Sequence, residues 1–162
     1  MTPFLRDMEA IDLLRIRTVR PMPGCWRDRF RTAMQAGPCW TAVHGGQVLA
    51  CAGLVVYWHG RAGAWMLLSA DFPRRAWPWA RRTVLEGMAR ARDQLGLRRI
   101  EAETLADWPP GATFLRACGF HREGRMLQYS AEGDDYDRWA ITAATGLAGL
   151  RPARALVEAP HG

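Results

Sequence analysis

The sequence contains no lysine: all 22 of its basic residues are arginine. A GC-rich coding sequence produces such a bias as readily as function does, but the bias still sets the surface chemistry. A guanidinium fork holds carboxylates and phosphates through paired hydrogen bonds. The net charge of +6 therefore suits CoA, a nucleic acid and an acidic protein surface alike, and separates none of them. Long apolar runs are also missing. No segment approaches the ~18 residues a membrane-spanning helix needs, so no membrane partner is expected. The opening Met1–Asp7 lacks the basic stretch and apolar core of a secretory leader, and the cytoplasm is the expected location. Cysteine is sparse. Cys25, Cys39, Cys51 and Cys118 form no Cys-x-x-Cys pair, and the 4 histidines are scattered. That spacing excludes the common zinc patterns. Buried free thiols are expected, and no metal ligands.

What remains is an ordinary globular composition, 49% hydrophobic and 23% charged over 162 residues, enough for one domain with one core. Hydrophobic periodicity predicts a short strand at Thr2–Leu5 and a helix at Met8–Arg15 capped by Asp7. A loop follows at Arg20–Gly24, then a second helix at Trp26–Ala36. Strands are expected at Trp40–His44, Gln47–Trp58 and Ala64–Ser69, joined as an antiparallel meander through Gly45-Gly46 and His59–Gly63. Gln47–Trp58 is apolar on both faces, which marks a central strand. The stripe Ala80, Val84, Met88, Ala91, Leu95 predicts a long helix from about Pro78 to Leu95. After it come a strand at Arg99–Thr104, parallel to the meander through its crossover, a loop at Leu105–Gly111, a helix at Ala112–Cys118, and strands at Arg125–Ser130 and Tyr136–Ile141. Residues 1–143 are expected to form the domain. Residues 144–162, rich in Ala, Gly, Pro and Arg, read as a tail with a weak stripe of Leu147, Leu150 and Leu156.

The most informative stretch is Ala112-Thr-Phe-Leu-Arg-Ala-Cys-Gly-Phe-His-Arg-Glu-Gly124. Gly119 fits the left-handed position past a helix end, and Phe120 the apolar residue that packs back on the last turn. This stretch resembles the second signature of the GNAT superfamily of acyl-CoA N-acyltransferases, and the order of elements from about Met1 to Ile141 resembles that superfamily too. The resemblance implies an α/β (α+β) fold with a mixed, mostly antiparallel central sheet of six to seven strands and helices on both faces. It also implies acetyl-CoA as co-substrate, with transfer of the acetyl group to a primary amine of unknown identity.

In that superfamily the pantetheine arm enters a gap where the strand before the long helix splays from its neighbour. The pyrophosphate sits on a Q/R-x-x-G-x-G/A loop at the helix N-terminus, where free N–H groups and the helix dipole favour an anion. The matching segment here is Ser69–Ala80, aligned as Arg75-x-x-Pro78-x-Ala80. The Gly has become Pro78, which lacks an N–H, while Arg74 and Arg75 offer side-chain donors instead. The resemblance points to Leu68, Ser69, Arg74, Arg75, Ala76, Trp77, Trp79, Ala80, Asp107 and Phe114 as cofactor-binding residues. Asp71 adds a negative charge nearby.

Glu101 and Glu103, two apart on one strand, share a face. Two like charges in a cleft raise one pKa, which suits a general base; alternatively they pair with Arg98, Arg99, Arg116 or Arg125. The superfamily's usual general-acid Tyr is Leu115 here, leaving Tyr129 and Tyr136 as candidates. Its Asn after the glutamate strand has no match, and Asp107 or Trp108 stands in that region. Acceptor specificity in that superfamily comes from segments matching Arg15–Gln35, with Asp28, and Tyr129–Trp139, where Glu132, Asp134, Asp135 and Asp137 make an acidic loop that suits either a cationic amine or a plain solvated turn. Two other roles stay open. The missing polar groups also fit a decayed GNAT-like fold acting as a binding or assembly protein. The Pro38–Leu54 run and Leu68-Ser-Ala-Asp71 resemble short phage and prophage members in layout, so a virion or other protein partner is conceivable. The Arg/Trp mixture of Arg74–Arg82 would stack on single-stranded nucleic acid, but packing of the tryptophans in a helix explains it better.

Overall fold

Hairpins build the first half of the sheet. In the computed structural model, which describes residues 3–20, 22 and 24–152, the strands are β1 (Phe4–Asp7), β2 (Cys39–His44), β3 (Gln47–Trp58), β4 (Arg61–Leu68), β5 (Arg99–Leu105), β6 (His121–Met126) and β7 (Tyr136–Thr142). The helices are α1 (Asp12–Arg15), α2 (Trp26–Gln35), α3 (Trp77–Leu95) and α4 (Pro109–Ala117). The sheet order is β1-β2-β3-β4-β5-β7-β6. All pairings are antiparallel except β4 with β5. The expected sheet, the meander and its parallel crossover are therefore present. β3 is central, with Leu49, Cys51 and Leu54 at 4% exposure or less.

Alternation along the strands separates two cores. Leu54, Ala62, Ile100, Ala102, Trp139 and Ile141 pack against Met88 and Ala91 of α3 and Phe114 of α4. Cys51 and Leu67 face the other way, toward Leu13 of α1 and Trp26, Phe30 and Met34 of α2. Helices thus cover both faces. The Gly-Phe ending forms a Schellman cap: the Gly119 N–H donates to the Arg116 carbonyl at 2.9 Å and the Phe120 N–H to Leu115 at 3.0 Å. Gly119 sits at φ 86°, which a side chain would strain. Phe120 is buried.

Several boundaries differ from expectation, each for a local reason. The first strand is Phe4–Asp7, not Thr2–Leu5, because β2 pairs it from Val43 back to Trp40. The first helix shrinks to Asp12–Arg15 and Asp7 does not cap it. No side chain caps it; Asp12, its first residue, instead reaches back to accept the Glu9 N–H at 2.9 Å in the turn before it. α4 begins at Pro109, inside the predicted loop, since prolines suit a first helical turn. β6 runs over His121–Met126 instead of Arg125–Ser130. Leu147 is fully buried, and Arg92 Nη1 donates to the carbonyls of Leu147 and Leu150, each at 2.7 Å. The packed chain therefore continues past residue 143, and Leu156 lies outside the described residues. No described helix is long and apolar enough to cross a membrane.

Candidate active site

The parallel ladder between β4 and β5 is short. It pairs Arg61 with Arg99 through Ala64 with Ala102 and then stops, although β4 continues to Leu68 and β5 to Leu105. Over that last stretch the only named strand paired with β4 is β3 and the only one paired with β5 is β7, so a gap opens between Trp65–Leu68 and Glu103–Leu105. The Leu68 carbonyl accepts the Val19 N–H at 3.0 Å on the gap side. Because backbone groups alternate along a strand, the N–H and C=O of Met66 point the same way, into the gap. Two buried polar atoms at this place have no partner among the described residues: Thr104 Oγ1 and Trp65 Nε1. An unpaired buried hydroxyl costs ~1–3 kcal/mol, and a ligand in the gap would remove that cost.

The gap leads into a cavity of about 210 Å³ between the sheet and the helices α3 and α4. Leu68, Trp77, Trp79, Ala80 and Phe114, all expected at the cofactor, line it. Trp77 stacks against Phe72 at 5.0 Å and against Phe114 at 5.1 Å, forming an aromatic row at its mouth. Leu115, at the usual Tyr position, is part of the apolar wall.

The other expected cofactor residues divide. Arg74 and Arg75 form an exposed 3-10 turn leading into α3, with Ala76 buried beneath it. The Trp77 N–H is taken by the Arg74 carbonyl and Pro78 has none, so few backbone donors remain for an anion and the two guanidinia are the main ones. Asp71 faces Arg17 at 3.4 Å, which offsets its charge. Ser69 is spent on its own turn, its Oγ accepting the Asp71 N–H at 3.1 Å. Asp107 is exposed and pairs with Arg20 at 3.7 Å, away from the cavity wall. Arg81 donates from Nε to the Ala117 carbonyl at 2.5 Å, tying α3 to the end of α4.

The two glutamates have separate fates. Glu101, 6% exposed, accepts a two-pronged bond from Arg61 at 2.8 Å on each oxygen and a third from Arg99 Nε at 2.5 Å. Arg99 is in turn clasped by Glu123. Burial alone would push the Glu101 carboxyl up, but the bonds from Arg61 and Arg99 outweigh it and hold the group below its ordinary value. The expected upward shift does not occur there, and Glu101 does not line the cavity. Glu103 does. Both of its oxygens lie 2.8 Å from the Tyr129 hydroxyl, and Arg138 approaches at 3.4 Å. Burial, then the hydrogen bond to Glu103, raise the Tyr129 pKa. Tyr136 stacks on Tyr129 at 5.5 Å.

The acidic hairpin is occupied by its own turn. Asp137 accepts from Arg122 at 2.7 Å and Arg125 at 3.0 Å, Asp135 caps Gln128, and Asp134 holds Ser130. Asp28 pairs with Arg31. Arginines offset the charge of Asp137 and Asp28, whereas Asp134 and Asp135 bond only neutral groups and keep theirs at the turn. Sequence reasoning missed Tyr57, Arg61, Thr104 and Arg138. Tyr57 had a readable signal: strand alternation puts it on the face of Cys51 and Val55 rather than of Leu54.

No protein-family model and no curated protein matches the sequence. Solved structures do. A protein provisionally assigned as a phosphinothricin N-acetyltransferase is 15% identical, with a TM-score of 0.68 over 87% of this chain and 98% of its own. A chimera of the spermidine N-acetyltransferase SpeG from Vibrio cholerae and hSSAT gives 15%, 0.68, 89% and 97%. A mutant form of the spermidine/spermine N-acetyltransferase SpeG from the same organism gives 15%, 0.66, 93% and 100%. At that identity the likeness concerns the backbone: the chain has the GNAT fold.

Proposed function

We propose that the protein is an acyl-CoA-dependent N-acyltransferase, moving an acyl group, acetyl in the simplest case, from the thioester to a primary amine. The observation that carries this reading is the β4–β5 gap, with Glu103 and Tyr129 at its edge and the start of α3 beside its mouth. Arg74 and Arg75 would hold the CoA phosphates in place of the backbone donors that Pro78 removes. The Met66 N–H would donate to the thioester carbonyl as negative charge develops on it. Glu103 is the base and takes a proton from the amine. Tyr129, kept protonated at neutral pH by its raised pKa, gives its phenolic proton to the departing sulfur and regains one from Glu103 across their hydrogen bond. A C–N bond forms, a C–S bond breaks, and the amine proton ends on the thiol. Glu101 has no part in this step; it fixes β4 to β5.

Calorimetric titration of acetyl-CoA into the purified full chain tests the reading, with the double variant Arg74→Ala/Arg75→Ala beside it. Binding weakened about tenfold or more in the variant, equivalent to ~1.4 kcal/mol, is the expected result. Absence of binding to the wild type overturns it, and would turn attention to a binding or assembly role with a protein partner.

A further inference from the structure

The cavity is larger than an acetyl group requires, and from the gap it extends beneath α3 as far as Leu5 on β1. We propose that the space beneath α3 receives the apolar chain of a medium- or long-chain acyl donor, so that the transferred group is a fatty acyl group. This rests on the acyl-transfer reading given above and names its donor class.

The cavity follows from residue size. Its floor is a band of methyl groups, Ala42 on β2, Ala50 and Ala52 on β3, Ala64 on β4 and Ala102 on β5, while the underside of α3 above it presents Ala80, Thr83 and Gly87. Small residues on both surfaces leave the layer between them unfilled. Protein interiors hold few voids larger than a water molecule, and one water needs only ~10–15 Å³ of such space. The 210 Å³ observed is therefore built into the fold.

Shape and chemistry select the occupant. The wall is mostly apolar, with Thr83 on α3 and Thr104 at the gap as its uncharged polar residues and a charged residue at each end. Glu103 stands at the gap, and Arg90 stands at the far end beside Leu5 and Trp40, where a separate surface pocket rimmed by Arg6, Asp7 and Glu86 adjoins it. From β5 to β1 the space crosses four strand spacings, about 19 Å at ~4.8 Å each. α3 covers it, so a thin flexible chain fits where a folded partner segment does not. Ala102 belongs to the core under α3 and α4, and alternation places Glu103 on the opposite face. The amine can therefore approach Glu103 from the side of α1 and α2 while the chain runs beneath α3.

Steady-state turnover with acetyl-, octanoyl-, dodecanoyl- and hexadecanoyl-CoA tests the proposal, using an amine panel and free-thiol detection. Binding of free dodecanoate, followed by displacement of a fluorescent fatty acid, provides a readout that needs no turnover. Each buried methylene adds about fourfold in affinity. The wild type should favour a long-chain donor over acetyl-CoA by about tenfold or more in kcat/KM. Ala42→Leu, which intrudes on the floor from β2, two strands away from the gap edge at β4, should abolish that preference and the dodecanoate binding while changing acetyl transfer by less than about threefold. Thermal unfolding confirms that the variant is folded, and Ala42→Val replaces it if it is not. Acetyl transfer without chain-length preference overturns the proposal and leaves the acyltransferase reading standing. Dodecanoate binding that Ala42→Leu removes, without turnover of any acyl-CoA, supports the chain site and overturns the acyltransferase reading.

Discussion

Two glutamates two residues apart on the same strand face should behave as opposites when neutralised. Glu101→Gln removes a buried carboxylate that neutralises Arg61 and part of Arg99. Breaking a fully buried pair costs roughly 3–5 kcal/mol. Here the arginine side chains are 28% and 29% exposed, and Arg99 keeps Glu123. The loss is closer to a charge-assisted hydrogen bond, about 2 kcal/mol. For a chain of this size that lowers Tm by about 4–8 °C, with turnover of the folded protein changed little. Glu103→Gln instead alters an accessible side chain and should shift stability by less than about 0.5 kcal/mol, while turnover falls by about 10²–10⁴. Thermal unfolding and thiol release on the same two preparations separate the cases. The reasoning fails if Glu101→Gln keeps its Tm and loses turnover, or if Glu103→Gln stays fully active. The pH dependence has a fixed sign as well. The folded Glu101 carboxyl lies below its ordinary value, so its stabilisation is complete above about pH 4.3 and fades as pH falls through the folded pKa. Wild type and Glu101→Gln should therefore converge in stability under acid.

Other outcomes follow from single contacts. A Cβ on Gly37 would lie 2.2 Å from the Leu54 carbonyl oxygen, so Gly37→Ala should cost about 1–3 kcal/mol, read as a lower denaturation midpoint. Bonds from Arg122 and Arg125 hold Asp137 at about 2. Its support of the β6–β7 hairpin should persist above about pH 4 and fade toward pH 2, and amide protection in His121–Met126, taken relative to the intrinsic exchange rate at each pH, should fall over that interval in the wild type but not in Asp137→Asn. Burial pushes Cys51 up to about 12 and Cys118 to about 11, whereas Cys25 is exposed. Alkylation at neutral pH should mark Cys25 first and reach Cys51 and Cys118 only on unfolding.

Legibility of the fold depended on whether an element buries a patterned face. β3, α3 and the Schellman ending at Gly119-Phe120 each bury one, and their spacing announced them. β6 does not. Its sequence, His-Arg-Glu-Gly-Arg-Met, is largely exposed because it is an edge strand bonded only to β7, with a register shift between Arg122 and Gly124. Apolarity drew the prediction toward Leu127 and Tyr129, yet Leu127 is 74% exposed and Gln128 turns the chain at φ 48°. At α1 the misleading residue was Asp12. A carboxylate on a predicted helix face reads as solvated, but Arg6 at 2.6 Å and Thr41 at 2.8 Å bury it completely.

Which glutamate would be free was not legible, because the deciding contact lies in the register between β4 and β5. Spacing puts Glu101 and Glu103 on one face and makes them equivalent. The parallel register sets Gly63 opposite Glu101. A Cβ at Gly63 would fall 2.2 Å from the Tyr57 hydroxyl, so only glycine lets that ring lie over the ladder. Arg61, two residues away on the same face, then reaches diagonally across to Glu101 with its guanidinium held over Tyr57 at 5.3 Å and Trp58 at 4.3 Å. One residue pair further the ladder ends at Ala64 and Ala102. Past that point no residue of β4 faces Glu103, and the carboxylate turns to Tyr129 at the edge of the gap. The end of the ladder thus divides one glutamate that fastens the strands together from another that stands at the edge of the gap with Tyr129 and Arg138. Glu101 holds the closed part of the β4–β5 seam, and Glu103 stands where the seam opens.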